Sequence, residues 1–261
     1  MRTIACLVLV ALLLTGCGRA DRTYRLYLPA SLPAGEAVPL VVVLHGGFGS
    51  ARQAERAYGW DALADREGFA VVYPDGQGRA WNAGGGCCGR PGREGVDDVA
   101  YVLGVVAAVR AARPVDPDRI YATGISNGGL MAYRLACDTD VFAAIGPDAA
   151  TLLGGCPDPA PVSVLHLHGT ADTMVRPDGA PGDGFADIDG PPVADVVELW
   201  RTAGGCAPPV TTTVGAQTRS TAQCPQGRAV DLVLFDGAGH EWLPGATATF
   251  WEFFAAHPRK G

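Results

Sequence analysis

Positive charge is scarce in this chain. It has 20 basic residues against 27 acidic ones over 261 positions, and its single lysine is Lys260. No run of basic residues occurs in the sequence. Proteins that bind nucleic acid neutralise its phosphates with clustered basic side chains. The composition therefore argues against nucleic-acid binding and favours a neutral or apolar small molecule as the partner.

Low-complexity sequence is also absent, although the composition first suggests it. The 36 glycines and 20 prolines are close to twice ordinary usage. However, 48% of the residues are hydrophobic, 18% are charged, and the glycines do not follow the period of collagen. Since there is no internal repeat and no clear linker, we predict one globular catalytic domain over 22–261.

The N-terminus has the pattern of a lipoprotein signal peptide over 1–16. The apolar run at 4–14 is too short to span a bilayer, and it ends in Leu-Thr-Gly before Cys17, which resembles a bacterial lipobox. We predict cleavage before Cys17, acylation of this cysteine and a short tether over 17–21. The mature protein is then exported and is held at the outer face of the cytoplasmic membrane or in the cell envelope, or is secreted. The alternative is a buried first helix.

An even number of cysteines remains once Cys6 and Cys17 are set aside. Six cysteines in an exported protein predict up to three disulfides among Cys87, Cys88, Cys137, Cys156, Cys206 and Cys224. No pair has C-x-x-C spacing, so we expect no metal site. Cys206 and Cys224 lie together in a turn-rich stretch, 204–228, and we pair them with each other. The other four leave three connectivities open.

Short apolar runs alternate with helical patterns along the chain. This alternation predicts an α/β fold with a mostly parallel sheet that is covered on both faces. The expected strands are 24–28, 38–44, 69–73, 119–124, 142–146, 163–168 and 230–235. The expected helices are 51–66, 97–113, 127–137, 192–202 and 246–256. A glycine-rich loop over 76–95 separates two of these elements.

The segment Gly-Ile-Ser-Asn-Gly at 124–128 matches the G-x-S-x-G motif of a nucleophilic serine. It follows a predicted strand and opens a predicted helix, and such a sharp turn holds the Ser126 hydroxyl clear of the backbone. The alternative is that Ser126 merely caps the helix. A nucleophilic serine also needs an oxyanion hole, for which we predict the backbone N–H groups of Asn127 and Gly47, with Phe48 as the alternative to Gly47. A simple glycine turn at 46–47 is the other interpretation.

A serine nucleophile needs a histidine base and a carboxylate that orients the base. Asp172 follows the strand predicted at 163–168, and His240 is the only histidine in a loop after that acid. We therefore predict Ser126, Asp172 and His240 as the catalytic residues. Asp178 and Asp236 are the rival acids, and a turn-capping aspartate and a solvated loop histidine are the alternatives.

Six segments together resemble the family of secreted polyhydroxybutyrate depolymerases and feruloyl esterases, which is related to the family-one carbohydrate esterases. These segments are L-H-G-G at 44–47, W-N-A-G-G-G-C-C-G at 81–89, V-D-D-V at 96–99, Y-A-T-G-I-S-N-G-G at 121–129, H-G-T-A-D at 168–172 and G-A-G-H-E-W at 237–242. The resemblance implies an α/β-hydrolase fold and serine esterase chemistry on Ser126, Asp172 and His240. The chain departs from the family pattern in the inserted Leu243 and in a longer, more acidic 177–192 segment.

Four residues near these motifs are predicted to line the substrate site: Phe48, Trp81, His168 and Trp242. Core packing is the alternative for the two tryptophans, and a strand-end role is the alternative for His168. The predicted function is a monomeric serine carboxylic-ester hydrolase that acts outside the cytoplasm, without metal or cofactor, on short-chain, hydroxyalkanoate or plant-phenolic esters. A peptidase or acyltransferase with the same triad, or a non-catalytic polymer-binding lipoprotein, is the alternative.

Overall fold

Residues 22–184 and 188–260 are described by the computed structural model. Over these residues the chain forms one nine-stranded sheet with the order β1-β3-β2-β4-β5-β6-β9-β8-β7. The strands are β1 Tyr24–Tyr27, β2 Val38–Leu44, β3 Ala70–Pro74, β4 Val115–Ile125, β5 Ala144–Asp148, β6 Ser163–Gly169, β7 Val210–Val214, β8 Gln217–Gln223 and β9 Ala229–Phe235. The predicted signal peptide, Cys17 and the tether lie outside the described residues.

The centre of the sheet is parallel, from β3 through β2, β4, β5 and β6 to β9, and the edges are antiparallel. β2 shows why both faces are covered. All seven of its residues are buried, with Leu40, Val42 and Leu44 on one face and Val41 and Val43 on the other. A strand that is apolar on both faces is stable only between two layers of helices.

Seven α-helices in the described residues provide those two layers. They are α1 Ala51–Ala57, α2 Trp60–Glu67, α3 Gly89–Glu94, α4 Asp98–Ala112, α5 Asn127–Asp138, α6 Val193–Gly204 and α7 Ala246–Ala256. The buried residues of α4, α5 and α6 pack on one face, and those of α1, α2 and α7 pack on the other. The predicted α/β class with a mostly parallel, doubly covered sheet is confirmed.

Three local predictions differ from the structure. The helix expected over 51–66 is two helices, because Gly59 lies between them with a left-handed φ of 75°. The glycine-rich loop over 76–95 contains α3. The turn-rich stretch over 204–228 contains the β7–β8 hairpin, which the pattern did not reveal because all five residues of β7 are exposed and three of them are threonines. An edge strand without a buried face has no apolar alternation.

Three disulfides are present among the described residues. Cys206 pairs with Cys224 as predicted, and the connectivity that was left open is Cys87–Cys88 with Cys137–Cys156. Disulfides persist in oxidising compartments, so these pairs indicate an extracellular protein. Within 22–184 and 188–260, none of the helices has the length and apolar character needed to cross a membrane.

Candidate active site

Ser126 lies at a strained turn between β4 and α5. Its φ is 54° and its ψ is −125°, a conformation that costs energy for a residue with a β-carbon and marks functional sites. The turn also needs its flanking glycines. A β-carbon on Gly124 would lie 2.5 Å from the Leu44 carbonyl oxygen, and one on Gly128 would lie 2.3 Å from the same atom. Ser126 precedes the helix, but its side chain makes no capping hydrogen bond. The hydroxyl is therefore not used as a cap.

The sheet brings the ends of three strands to the same edge. Ser126 follows β4, Asp172 follows β6 and His240 follows β9, and these strands run parallel with β5 between β4 and β6. The carboxyl ends of parallel strands form one rim, which is where α/β proteins place their sites. Residues 46 to 114 positions apart in sequence therefore meet at one edge.

His240 is hydrogen-bonded to Asp172, with 2.8 Å between Nδ1 and Oδ2. The other carboxylate oxygen of Asp172 accepts the backbone N–H groups of Met174 and Val175, each at 2.9 Å. The rival acids have other partners: Asp178 pairs with Arg176 at 2.8 Å, and Asp236 accepts the hydroxyl of Thr170 at 3.2 Å.

The Asp172 carboxylate is stabilised as an anion. Burial alone would raise its pKa, but hydrogen bonds from His168, His240 and the Val175 N–H together bring the pKa below the usual range. An ionised carboxylate only accepts hydrogen bonds, so Nδ1 of His240 carries the hydrogen and Nε2 has a free lone pair. Such an imidazole can take a proton from a hydroxyl group.

Two candidate oxyanion donors face each other beside Ser126. Asn127 is the first residue of α5, so its backbone N–H has no acceptor within the helix. A β-carbon on Gly47 would lie only 4.0 Å from the Asn127 β-carbon. The Phe48 N–H, the alternative donor, already donates to the Arg79 carbonyl at 2.8 Å. The geometry therefore favours Gly47 over Phe48.

Trp81 was predicted to line the substrate site, and this prediction is wrong. The side chain is completely buried, and its indole N–H donates to the His45 carbonyl at 2.8 Å. Its backbone N–H and carbonyl are bound by the side-chain amide of Asn127 at 2.7 and 3.0 Å. Trp81 therefore supports the loop that carries Gly47, and its side chain has no exposed surface to offer a ligand.

His168 is also completely buried, so the prediction that it lines the site is wrong as well. Its Nε2 lies 3.3 Å from Oδ2 of Asp172. The two remaining predicted lining residues are accessible. Phe48 is 69% exposed, and Trp242 is partly exposed, stacks on Tyr58 with 4.5 Å between ring centroids, and borders a surface groove of about 350 Å³.

Sequence reasoning missed Asp148 at the end of β5. Its Oδ2 accepts the backbone N–H of Leu243 at 3.1 Å, and its own carbonyl accepts the Ser126 N–H at 2.9 Å. Burial raises the pKa of Asp148 well above its usual range. The side chain ties the loop after His240 to the centre of the sheet. The sequence feature that could have indicated Asp148 is an aspartate at the end of an otherwise apolar run. The inserted Leu243, whose N–H makes this contact, is itself buried.

The chain is similar in sequence to known proteins. The model of a family described as esterase PHB depolymerase matches residues 22–178. NocK of Nocardia uniformis subsp. tsuyamanensis, described as an esterase, is 37% identical over 253 residues, which cover 87% of this chain and 72% of NocK. Feruloyl esterase B of Piromyces equi is 30% identical over 86% of this chain, and the match spans 43% of that longer protein.

A solved structure has a similar fold. The acetyl xylan esterase from Aspergillus awamori superimposes with a TM-score of 0.70 over 90% of this chain and 94% of its own, at 16% identity. At this identity the likeness concerns the fold, and the predicted α/β-hydrolase fold is confirmed.

Proposed function

Since the chain belongs to the esterase PHB depolymerase family and is a carboxylic ester hydrolase, we propose that it works through an acyl-enzyme formed on Ser126. The observation that carries the proposal is the 2.8 Å hydrogen bond between Asp172 and His240, on the rim where the strained turn presents Ser126. A hydroxyl nucleophile, a base with a free Nε2 and a carboxylate that holds the base are the three parts of a serine hydrolase triad.

In the proposed reaction, Nε2 of His240 takes the hydroxyl proton as Oγ of Ser126 attacks the ester carbonyl carbon. The carbonyl oxygen becomes an oxyanion and accepts the backbone N–H groups of Asn127 and Gly47. His240 then gives its proton to the departing alcohol, which leaves an acyl group on Ser126. Water, activated by the same histidine, releases the acid and restores the serine. Asp172 stays ionised throughout and stabilises the imidazolium of His240.

The proposed substrates are short-chain, hydroxyalkanoate or plant-phenolic esters. The names of the relatives support this class, because one is a feruloyl esterase and the matching family is named for PHB depolymerases. The exposed ring of Phe48, on the loop that carries Gly47, offers an apolar surface for the acyl or aryl group. Attachment of the exported protein to a membrane through Cys17 is part of the proposal and is supported by the Leu-Thr-Gly-Cys sequence.

The test replaces Ser126 by alanine. Because the native side chain makes no capping bond, Ser126→Ala should unfold at the same temperature as the native protein. Its kcat on p-nitrophenyl butyrate should fall by about 10⁶-fold. A fluorophosphonate probe should label the native protein and not the variant.

The matched control is Ser50→Ala. Ser50 caps α1 by accepting the Gln53 N–H, so its loss should cost about 1 kcal/mol of stability and leave kcat unchanged. Substantial turnover or labelling in Ser126→Ala would contradict the proposed nucleophile.

A further inference from the structure

Three buried side chains form a row that ends at Asp172, on the side of its carboxylate that faces the protein core. Tyr133 on α5 and His166 and His168 on β6 are all completely buried. The Tyr133 hydroxyl lies 2.7 Å from Nδ1 of His166, and Nε2 of His166 lies 2.9 Å from Nδ1 of His168. The centroids of the two imidazole rings are 5.2 Å apart with 4° between their planes, as expected for two rings joined edge to edge by this hydrogen bond. Nε2 of His168 then meets the Val175 carbonyl at 2.7 Å and Oδ2 of Asp172 at 3.3 Å.

The atoms at the end of the row determine where His168 carries its hydrogen. The Val175 carbonyl and the Asp172 carboxylate only accept hydrogen bonds, so Nε2 of His168 is protonated in either charge state of the ring. With a neutral ring, Nδ1 accepts from Nε2 of His166, whose own Nδ1 accepts from the Tyr133 hydroxyl. Burial first, and the neighbouring His168 second, lower the pKa of His166 well below its usual range, so His166 is neutral. The donors in this row then run in one direction, from Tyr133 to His168, whose Nε2–H donates to the Val175 carbonyl at 2.7 Å and lies 3.3 Å from Oδ2 of Asp172.

We propose that His168 is a positioning residue for Asp172: its Nε2–H, which donates to the Val175 carbonyl, also contacts the carboxylate oxygen that faces His240, and His166 and Tyr133 hold the His168 ring in place. The inference rests on the proposed roles of Ser126, Asp172 and His240. The row reaches no solvent, so His168 acts through Asp172 and not on a substrate.

The effect on catalysis follows from the shared oxygen. Oδ2 of Asp172 accepts the Nδ1–H of His240 at 2.8 Å, and the Nε2–H of His168 makes a second, longer contact with the same oxygen at 3.3 Å. Both N–H groups stabilise the negative charge on that oxygen. Without the His168 donor, the carboxylate interacts more strongly with a protonated His240 and favours the imidazolium form. Because kcat/KM needs a neutral His240, its acid limb should move to higher pH. The titratable groups that face His168 and Asp172 are His166, Tyr133 and His240, with Asp148, whose pKa is raised by burial, beside them on β5.

Two substitutions of His168 distinguish the roles of its two ring nitrogens. The amide nitrogen of glutamine reaches the place of Nε2, whereas asparagine reaches only that of Nδ1. We expect His168→Gln to keep the acid limb of kcat/KM where it is in the native protein. His168→Asn and His168→Leu should move that limb up by about one pH unit. They should also lower kcat about tenfold, because the carboxylate loses a contact that fixes its position and hence the position of His240. KM should change little, since the substrate does not contact this residue.

The control is His257→Gln, which alters a histidine bonded to the Phe253 carbonyl at the end of α7 and should leave the pH profile unchanged. Rates are divided by the fraction of protein that a fluorophosphonate labels, and thermal unfolding is recorded for each variant, so that loss of folded protein is not counted as loss of kcat. If His168→Leu fails to fold, the glutamine and asparagine variants still make the comparison.

The inference is wrong if the asparagine variant keeps the native acid limb and kcat. It is also wrong if glutamine and asparagine lower kcat equally without moving the limb, because that result indicates packing alone. The proposed function has its own test: turnover retained by Ser126→Ala would contradict it, whatever the His168 variants show.

Discussion

Replacing Asp172 by asparagine keeps the size of the side chain and removes its charge. Three N–H groups donate to the native carboxylate, two from the backbone of Met174 and Val175 to Oδ1 and one from the ring of His240 to Oδ2. The Nε2–H of His168, which donates to the Val175 carbonyl, lies 3.3 Å from Oδ2. An asparagine has one acceptor oxygen. If that oxygen stays with the two backbone groups, the amide NH₂ faces two ring nitrogens that both carry hydrogen.

His240 can relieve this conflict only by accepting a hydrogen bond at Nδ1. Its hydrogen then moves to Nε2, the atom that must take the proton of Ser126, so the base is in the wrong tautomer. We expect kcat to fall by about 10⁴-fold. At about 1.4 kcal/mol for each factor of ten, this is a loss of about 5 kcal/mol of transition-state stabilisation. KM should change little, because Asp172 is buried away from any substrate.

The assay measures kcat and KM on p-nitrophenyl butyrate, with Asp236→Asn as the matched control. Asp236 is an exposed aspartate in the loop before His240, bonded to Thr170, and its replacement should change kcat by less than about threefold. If Asp172→Asn keeps more than about a tenth of the native kcat, or if the control loses as much as Asp172→Asn, Asp172 is not the orienting acid.

Stability against pH is a second readout on the same pair of proteins. Burial opposes ionisation of Asp172, but the hydrogen bonds from His168, His240 and Val175 outweigh it and hold the pKa below its unfolded value of 3.8. A carboxyl group whose pKa is depressed on folding stabilises the native state fully above the unfolded pKa, and this stabilisation is lost as the pH falls towards the folded pKa. The native protein should therefore exceed Asp172→Asn in Tm near neutral pH by more than it does in acid.

Two further predictions concern the oxyanion loop and the disulfides. Gly47→Pro removes a backbone N–H and should lower kcat by about 10²- to 10³-fold. Gly47→Ala keeps that N–H, has room for its β-carbon and should change kcat little. Equal losses of kcat in the two variants would contradict a role for the N–H as donor. The double variant Cys206→Ser with Cys224→Ser opens a loop of 18 residues. Denaturant unfolding should show a free energy of unfolding lower by about 3 kcal/mol, and kcat should be unchanged. An unchanged unfolding midpoint would show that the pair does not stabilise the fold.

Local sequence was sufficient for the parallel core and for the order of the candidate site. The continuous apolar run at 38–44 can be stable only as a strand covered on both faces, which is where β2 lies. The glycines around Ser126 predict a tight turn wherever the rest of the chain goes, and the turn has the expected strain. Asp172 and His240 follow strands, so a parallel sheet brings both to one rim. These predictions needed only the period of hydrophobicity and the positions of glycine.

Burial and partner choice needed the tertiary structure. Trp81 and His168 lie close to the site motifs in sequence, and only the packing shows that both side chains face inwards. The edge strand β7 has no buried face, so its sequence carries no apolar alternation from which a strand could be predicted.

The sequence by itself determined which strand each catalytic candidate follows, because each assignment depends only on neighbouring residues in the chain. Only the tertiary structure decided how the four remaining cysteines pair, as Cys87–Cys88 and Cys137–Cys156, and which groups contact Asp172 from within the core. The Cys137–Cys156 pair and the buried row beside Asp172 depend on contacts between segments that are separate in sequence, such as Tyr133 on α5 with His166 on β6. No local pattern in the chain records such contacts, because they form only when the helices pack on the sheet.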